Sequence, residues 1–340
     1  MDINSQKNSY ISSYASIIVK DRLYISDKKY NVLIEVDMNN KLARLCGVFE
    51  GRCTHRYVVS SGNFLWWIPE SNKANTIDIY NIENMTFSSI EIPVEKKYNE
   101  NCRFSGVFMD SNDSSIFWCM PCCASDILKI NTLDKRVELI PIDDLIDGNV
   151  IFCSSAKREN DFYICEKNRA YVYKYNINEG FKCLYNNTAI NYVMNKLIIY
   201  DDYIYLIPRK LCNPWVRINM EGLCEKIIPF GINDESDVFS EVQFENTIIS
   251  MPYKGNRLYR FDINQESFFE DHINIKGLNV FDYWLAYYDD QKAVFSPVEC
   301  CVPIVLMNSN GTYEEIKINS KNRDLEVLLA MLGINSKEWK

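Results

Sequence analysis

Apolar and polar positions along this chain alternate in short runs separated by turn-forming residues. The stretch Tyr203-Ile-Tyr-Leu-Ile-Pro208, a polar spacer, then Trp215-Val-Arg-Ile-Asn219 shows the pattern: two strands rich in aromatic and β-branched residues, joined by a loop. Versions of it recur seven times. The sharpest mark is an apolar residue followed by Asn or Asp: Val36-Asp37, Tyr80-Asn81, Ile130-Asn131, Tyr175-Asn176, Ile218-Asn219, Phe261-Asp262 and Met307-Asn308. Successive marks lie 44, 50, 45, 43, 43 and 46 residues apart. That period belongs to propeller blades and exceeds those of ankyrin and leucine-rich repeats.

The mark has the chemistry of a hairpin turn. Asn and Asp bond to backbone just ahead of them, and an Asn, Asp or Gly three residues later suits positive φ. Asn40, Asn84, Asp134, Gly222 and Gly311 occupy that later position; Gln265 breaks the rule, and Glu179 passes the role to Gly180. Before each mark lies a β-rich run: Leu23–Ser26, Phe64–Pro69, Ile116–Pro121, Phe162–Cys165, Tyr203–Pro208, Thr247–Pro252 and Ala293–Pro297. Five of these runs end in proline, which has no ladder donor and suits a strand exit. One further strand precedes each run and one follows each turn, so every unit holds four strands, A to D.

These units resemble those of the seven-bladed β-propeller superfamily. The resemblance spans about residues 12–318 and implies an all-β fold of four-stranded antiparallel blades, each packed between two neighbours. A pair of β-sandwiches would share no fixed period and would show a linker. The chain lacks the Gly-His and Trp-Asp pairing of WD40 blades and the Gly-Gly doublet of kelch blades. Its apolar-Pro exits and Ile, Asn, Lys and Tyr bias look like those of uncharacterised bacterial propellers, a likeness that implies no activity. Residues 1–11 read as a polar leader. Residues 319–340 switch to helical spacing, with Leu325, Leu328, Leu329 and Leu332 behind a cap at Asn322 or Asp324, and predict a short C-terminal α-helix docked on the propeller.

Composition narrows the functional classes. The chain has 340 residues, 47% of them hydrophobic, and a net charge of -9. Such a charge opposes broad nucleic-acid binding, which needs a basic surface. No apolar run reaches the length of a membrane-spanning helix, and no secretory signal opens the chain. The thirteen cysteines then read as reduced thiols of a cytoplasmic protein.

Candidate chemistry concentrates in the loops. In propellers the D-to-A and B-to-C connections share one face, and function tends to sit in long loops on a rigid scaffold. The B-to-C loops of units four to six are basic, with Lys167 and Arg169, then Arg209 and Lys210, then Lys254 and Arg257. Trp215 and Tyr253 stand beside them in sequence, and together these eight residues predict a cationic arc for a partner or an anion. A second set, Lys129, Lys174, Arg217 and Arg260, sits at strand ends and is expected to pack structurally.

Acidic loops carry Asp143, Asp144 and Asp147, then Asp234, Glu235 and Asp237, without the spacing of a calcium loop. Cys119, Cys122 and Cys123 form one Cys-x-x-Cys with a vicinal pair, and Cys300-Cys301 repeats the pair in unit seven. A zinc site wants four ligands, and only His55 and His272 exist to assist, so no metal and no cofactor is expected. The same scarcity of histidine speaks against Ser-His or Cys-His catalysis. The expected function is a non-catalytic scaffold that binds a protein partner through the loop face. The alternative is binding or processing of a small anion, a phosphate, sugar or carboxylate, over the central opening.

Overall fold

The computed structural model describes residues 13–28, 31–50, 54–70, 74–93, 103–124, 126–142, 150–223, 225–231, 236–252, 257–272, 283–289, 291–297 and 304–316. Seven four-stranded antiparallel sheets follow one another in chain order, each made of four consecutive strands. The first strands of the sheets are β1 (Ala15–Val19), β5 (His55–Ser61), β9 (Phe104–Met109), β13 (Phe152–Arg158), β17 (Met194–Tyr200), β21 (Val238–Phe244) and β25 (Tyr283–Tyr288). Each touches the first strand of the next sheet, and β25 touches β1, so these strands surround the axis of a closed seven-bladed propeller.

The second strands are β2 (Arg22–Asp27), β6 (Phe64–Pro69), β10 (Ile116–Pro121), β14 (Asp161–Glu166), β18 (Tyr203–Pro208), β22 (Thr247–Pro252) and β26 (Lys292–Pro297). Four of the seven match their expected bounds; β2 and β14 are one residue longer at each end, and β26 is one residue longer at its start. The third strands are β3 (Val32–Asp37), β7 (Thr76–Asn81), β11 (Asp126–Asn131), β15 (Ala170–Asn176), β19 (Trp215–Asn219), β23 (Arg257–Asp262) and β27 (Ile304–Asn308). The outer edges are β4 (Leu42–Val48), β8 (Thr86–Glu91), β12 (Arg136–Pro141), β16 (Gly180–Asn187), β20 (Glu225–Ile228), β24 (Ser267–His272) and β28 (Tyr313–Ile316).

The middle strands are buried on both faces because each blade is covered by two neighbours. The core is accordingly a set of seams. Trp66, Ile79, Phe117 and Ile130 join blades two and three, while Tyr163, Val172, Leu206 and Val216 join four and five. The ring closes by the same means. Ile34, Val36, Val294 and Leu306 pack in one cluster between blades one and seven, and no strand is exchanged across that seam. Among the described residues there is no helix; the expected leader and the expected helix at 319–340 lie outside them.

The turns depart from expectation in one respect. The side-chain oxygen of Asp37 accepts from the backbone N–H of Asn39 and Asn40, and Asn81, Asn131 and Asn176 do the same for their own turns. Positive φ falls on Gly180, Gly222 and Gly311 as expected, but on Lys41, Met85 and Lys135 in place of Asn40, Asn84 and Asp134; in blade six, where Gln265 breaks the rule, it falls on Glu266. In those four blades the Asn or Asp bond holds the first residues of the turn in a right-handed bend. The reversal into the fourth strand is completed one residue later.

Candidate binding face

A belt of backbone hydrogen bonds stiffens the loop face. In blades two to five the residue leaving the second strand donates to the residue before its own first strand: Glu70 to Thr54, Cys122 to Arg103, Lys167 to Ile151 and Arg209 to Val193, at 2.7–2.8 Å. The carbonyl of the same residue accepts from the next blade: Glu70 from Arg103, Cys122 from Phe152, Lys167 from Met194 and Arg209 from Val238, at 2.7–2.9 Å. The proline ending the second strand needs no donor, and the residue after it supplies the donor that the belt uses.

The register slips at the second residue of five first strands, leaving Arg56, Ser105, Cys153, Asn195 and Phe239 as bulges beside the belt. A bulge re-aims its side chain out of the strand's alternation. Asn195 uses this to reach the next blade, donating from Nδ2 to Glu241 Oε1 at 2.7 Å. Glu241 is buried, and burial pushes its carboxyl up to about 6, with Lys196 and the Asn195 bond pulling it back.

Of the predicted arc, Arg169, Arg209 and Arg257 are half-exposed, each with Nε toward a carboxylate. Arg169 faces Glu166 at 3.5 Å, Arg209 faces Asp237 at 3.2 Å and Arg257 faces Glu270 at 3.6 Å. Glu166 is buried, one of its oxygens has no hydrogen-bond partner, and burial raises its carboxyl while Arg169 lowers it. Lys167 is half-buried and Lys210 exposed, and the backbone of Lys210 bridges to Asp237.

The loop Arg209–Pro214 is clamped. Leu211 is buried with Phe230, Val238 and Tyr259, its N–H donates to Ser236, and Tyr192 Oη donates to the Pro214 carbonyl at 2.7 Å.

Trp215 is the correction in this set. It is 1% exposed and packs on Phe261 and Phe268, with ring centroids at 4.8 and 5.0 Å, inside the seam between blades five and six. As the first residue of β19 it points into that seam, so it belongs to the core and cannot meet a ligand. Tyr253 and Lys254 lie outside the described residues, as do Asp143, Asp144, Asp147, Asp234 and Glu235. The second basic set is structural as expected: Lys129 sits over Trp118, Lys174 pairs with Asp161, Arg217 with Glu266, and Arg260 sits over Phe269.

Sequence reasoning missed a Ser-His-Asp relay. Ser26 Oγ and His55 Nδ1 share a hydrogen bond of 2.7 Å between blades one and two, and His55 Nε2 lies 3.0 Å from Asp78 Oδ2. All three side chains are buried and Phe49 covers the imidazole at 4.4 Å, so no substrate reaches them; the relay ties two blades together. It was invisible because its members are 29 and 23 residues apart. Glu166 had a readable signal: in units one and four the exit proline is replaced by an acid, Asp27 or Glu166, and both are buried.

No protein-family model and no curated protein matches the chain. Solved structures do share its fold. Virginiamycin B lyase from Staphylococcus aureus is 12% identical with a TM-score of 0.65, covering 88% of this chain and 94% of the lyase. A chain of a mitotic checkpoint complex is 11% identical with a TM-score of 0.59, covering 85% of each chain. Hsv2 of Kluyveromyces lactis is 7% identical with a TM-score of 0.55, covering 89% of this chain and 97% of Hsv2. At these identities the likeness is one of fold alone. Among the described residues no helix is long and apolar enough to cross a membrane.

Proposed function

We propose that this propeller is a non-catalytic interaction scaffold of the cytoplasm that docks a protein partner on its loop face, across blades four to six. The observation that carries the reading is the spread of the cations. Arg209 sits on the inner belt, Arg169 just before a third strand, and Arg257 beside Glu270 between the two outer strands of blade six. Charges at different radii suit an extended segment of a partner. A small anion over the central opening would need them to converge on one point. The belt and the clamped Arg209–Pro214 loop support the same reading, because a rigid platform loses little entropy when it binds. One neighbour in fold is a lyase and another belongs to a multi-protein complex, so fold alone favours neither class.

The test is affinity capture from cells of the native source, with wild type and with Arg169→Glu/Lys210→Glu. A stoichiometric partner held by wild type and lost with the double variant is the expected result. Equal capture by both, or no partner, defeats the reading. A rise in melting temperature with phosphates, sugars or carboxylates would favour the small-anion alternative.

A further inference from the structure

We infer that Cys122 and Cys123 form a dithiolate site for a soft divalent cation of the zinc and cadmium class. Consecutive residues of a strand point to opposite faces, so two neighbouring cysteines are ordinarily held apart. Here the strand has ended. The register shifts between Met120 and Pro121, β10 stops at Pro121, and the chain bends as it leaves the blade. The bend brings both sulfurs to one side, with Cys122 Sγ and Cys123 Sγ 3.7 Å apart. A tetrahedral ion with metal–sulfur bonds of about 2.3 Å spans a sulfur–sulfur distance of about 3.8 Å. The pair therefore has the required bite before any ion arrives.

The belt preserves that bite. The N–H of Cys122 donates to Arg103 and its carbonyl accepts from Phe152, both at 2.8 Å, so blades three and four hold its backbone from both sides. Cys122 is buried at 7% exposure, while Cys123 is partly exposed and gives access from the loop face. Sulfur donors select zinc, cadmium and similar ions over magnesium and calcium, which prefer oxygen. Among the described residues no group of three or more His, Cys, Asp and Glu is placed around a common ion. Among the described residues this pair supplies two ligands, and the remaining positions are open to other donors. Binding breaks two S–H bonds, forms two metal–sulfur bonds and releases two protons to the buffer.

Cadmium titration of the reduced full-length protein, read by the sulfur-to-metal charge-transfer band and by proton release, tests the site. One ion per chain with about two protons released is expected, weakened at least tenfold in Cys122→Ser and in Cys123→Ser. Cys183→Ser/Cys212→Ser, which removes two exposed single thiols, should leave the band intact. Cys123, the more exposed partner, provides the variant that keeps its fold, checked by its melting curve. The inference is overturned by the absence of the band in wild type. It is equally overturned if the band survives in Cys122→Ser/Cys123→Ser.

Discussion

Glu241 shows how one residue can carry an electrostatic cost inside an apolar ring. Its carboxyl is buried at the seam between blades five and six, held by one bond from Asn195, and titrates near 6 in place of 4.5. A raised carboxyl binds its proton more tightly in the folded state. Stability is therefore favoured below about pH 4.5, falls as pH rises to about 6, and stays lower by roughly 2 kcal/mol above that. Glu241→Gln keeps the acceptor for Asn195 and removes the charge. It should melt a few degrees above wild type at pH 7.5, with the gap closing toward pH 5 in thermal scans. A wild-type advantage at pH 7.5 would mean that Lys196 outweighs the burial.

At the scale of the element, the turns separate backbone need from space. Gly180 and Gly222 both have positive φ, at 83° and 73°, in the outer turns of adjacent blades. A Cβ on Gly180 would meet nothing within 4 Å, whereas one on Gly222 would stand 2.2 Å from the Leu184 carbonyl oxygen of the neighbouring blade. Gly180→Ala should cost about 1 kcal/mol, the ordinary penalty of a left-handed residue. Gly222→Ala should cost clearly more, roughly 3 kcal/mol, because backbone must also move. Urea denaturation of both variants compares them directly, and equal losses would contradict the close approach. The turn motif was legible at both sites, but the neighbour pressing on Gly222 was not, since Leu184 belongs to another blade.

The whole molecule is a ring, and among the described residues its first and last blades meet through side chains. Blade seven meets blade one through the cluster of Ile34, Val294, Ile304 and Leu306, with an ion pair between Lys41 and Glu314 at its edge. Among the described strands none is exchanged across this seam, which is packed by apolar side chains as the others are. Ile304→Ala should cost about 2–5 kcal/mol as a buried truncation. It should lower the single unfolding midpoint without splitting the transition, because opening one seam exposes the faces of two blades at once. A biphasic calorimetric trace would show instead that the blades unfold as separate units.

Period, blade count, strand order and the bounds of four of the seven second strands were determined by the sequence itself. The reason is local: alternation, turn residues and exit prolines act within a few positions, and the repeat states them seven times. Surface loops with their arginines were also readable, because nothing but chain polarity is needed to place them outside. What the tertiary structure decided lies between blades. It buried Trp215 in a seam, set Arg209 against Asp237, assembled Ser26, His55 and Asp78, and turned Cys122 and Cys123 to one side. The first three depend on residues from different strands or blades, and the fourth on where a strand stops. Such contacts follow from packing across the ring and at strand ends, and no pattern along one strand encodes them.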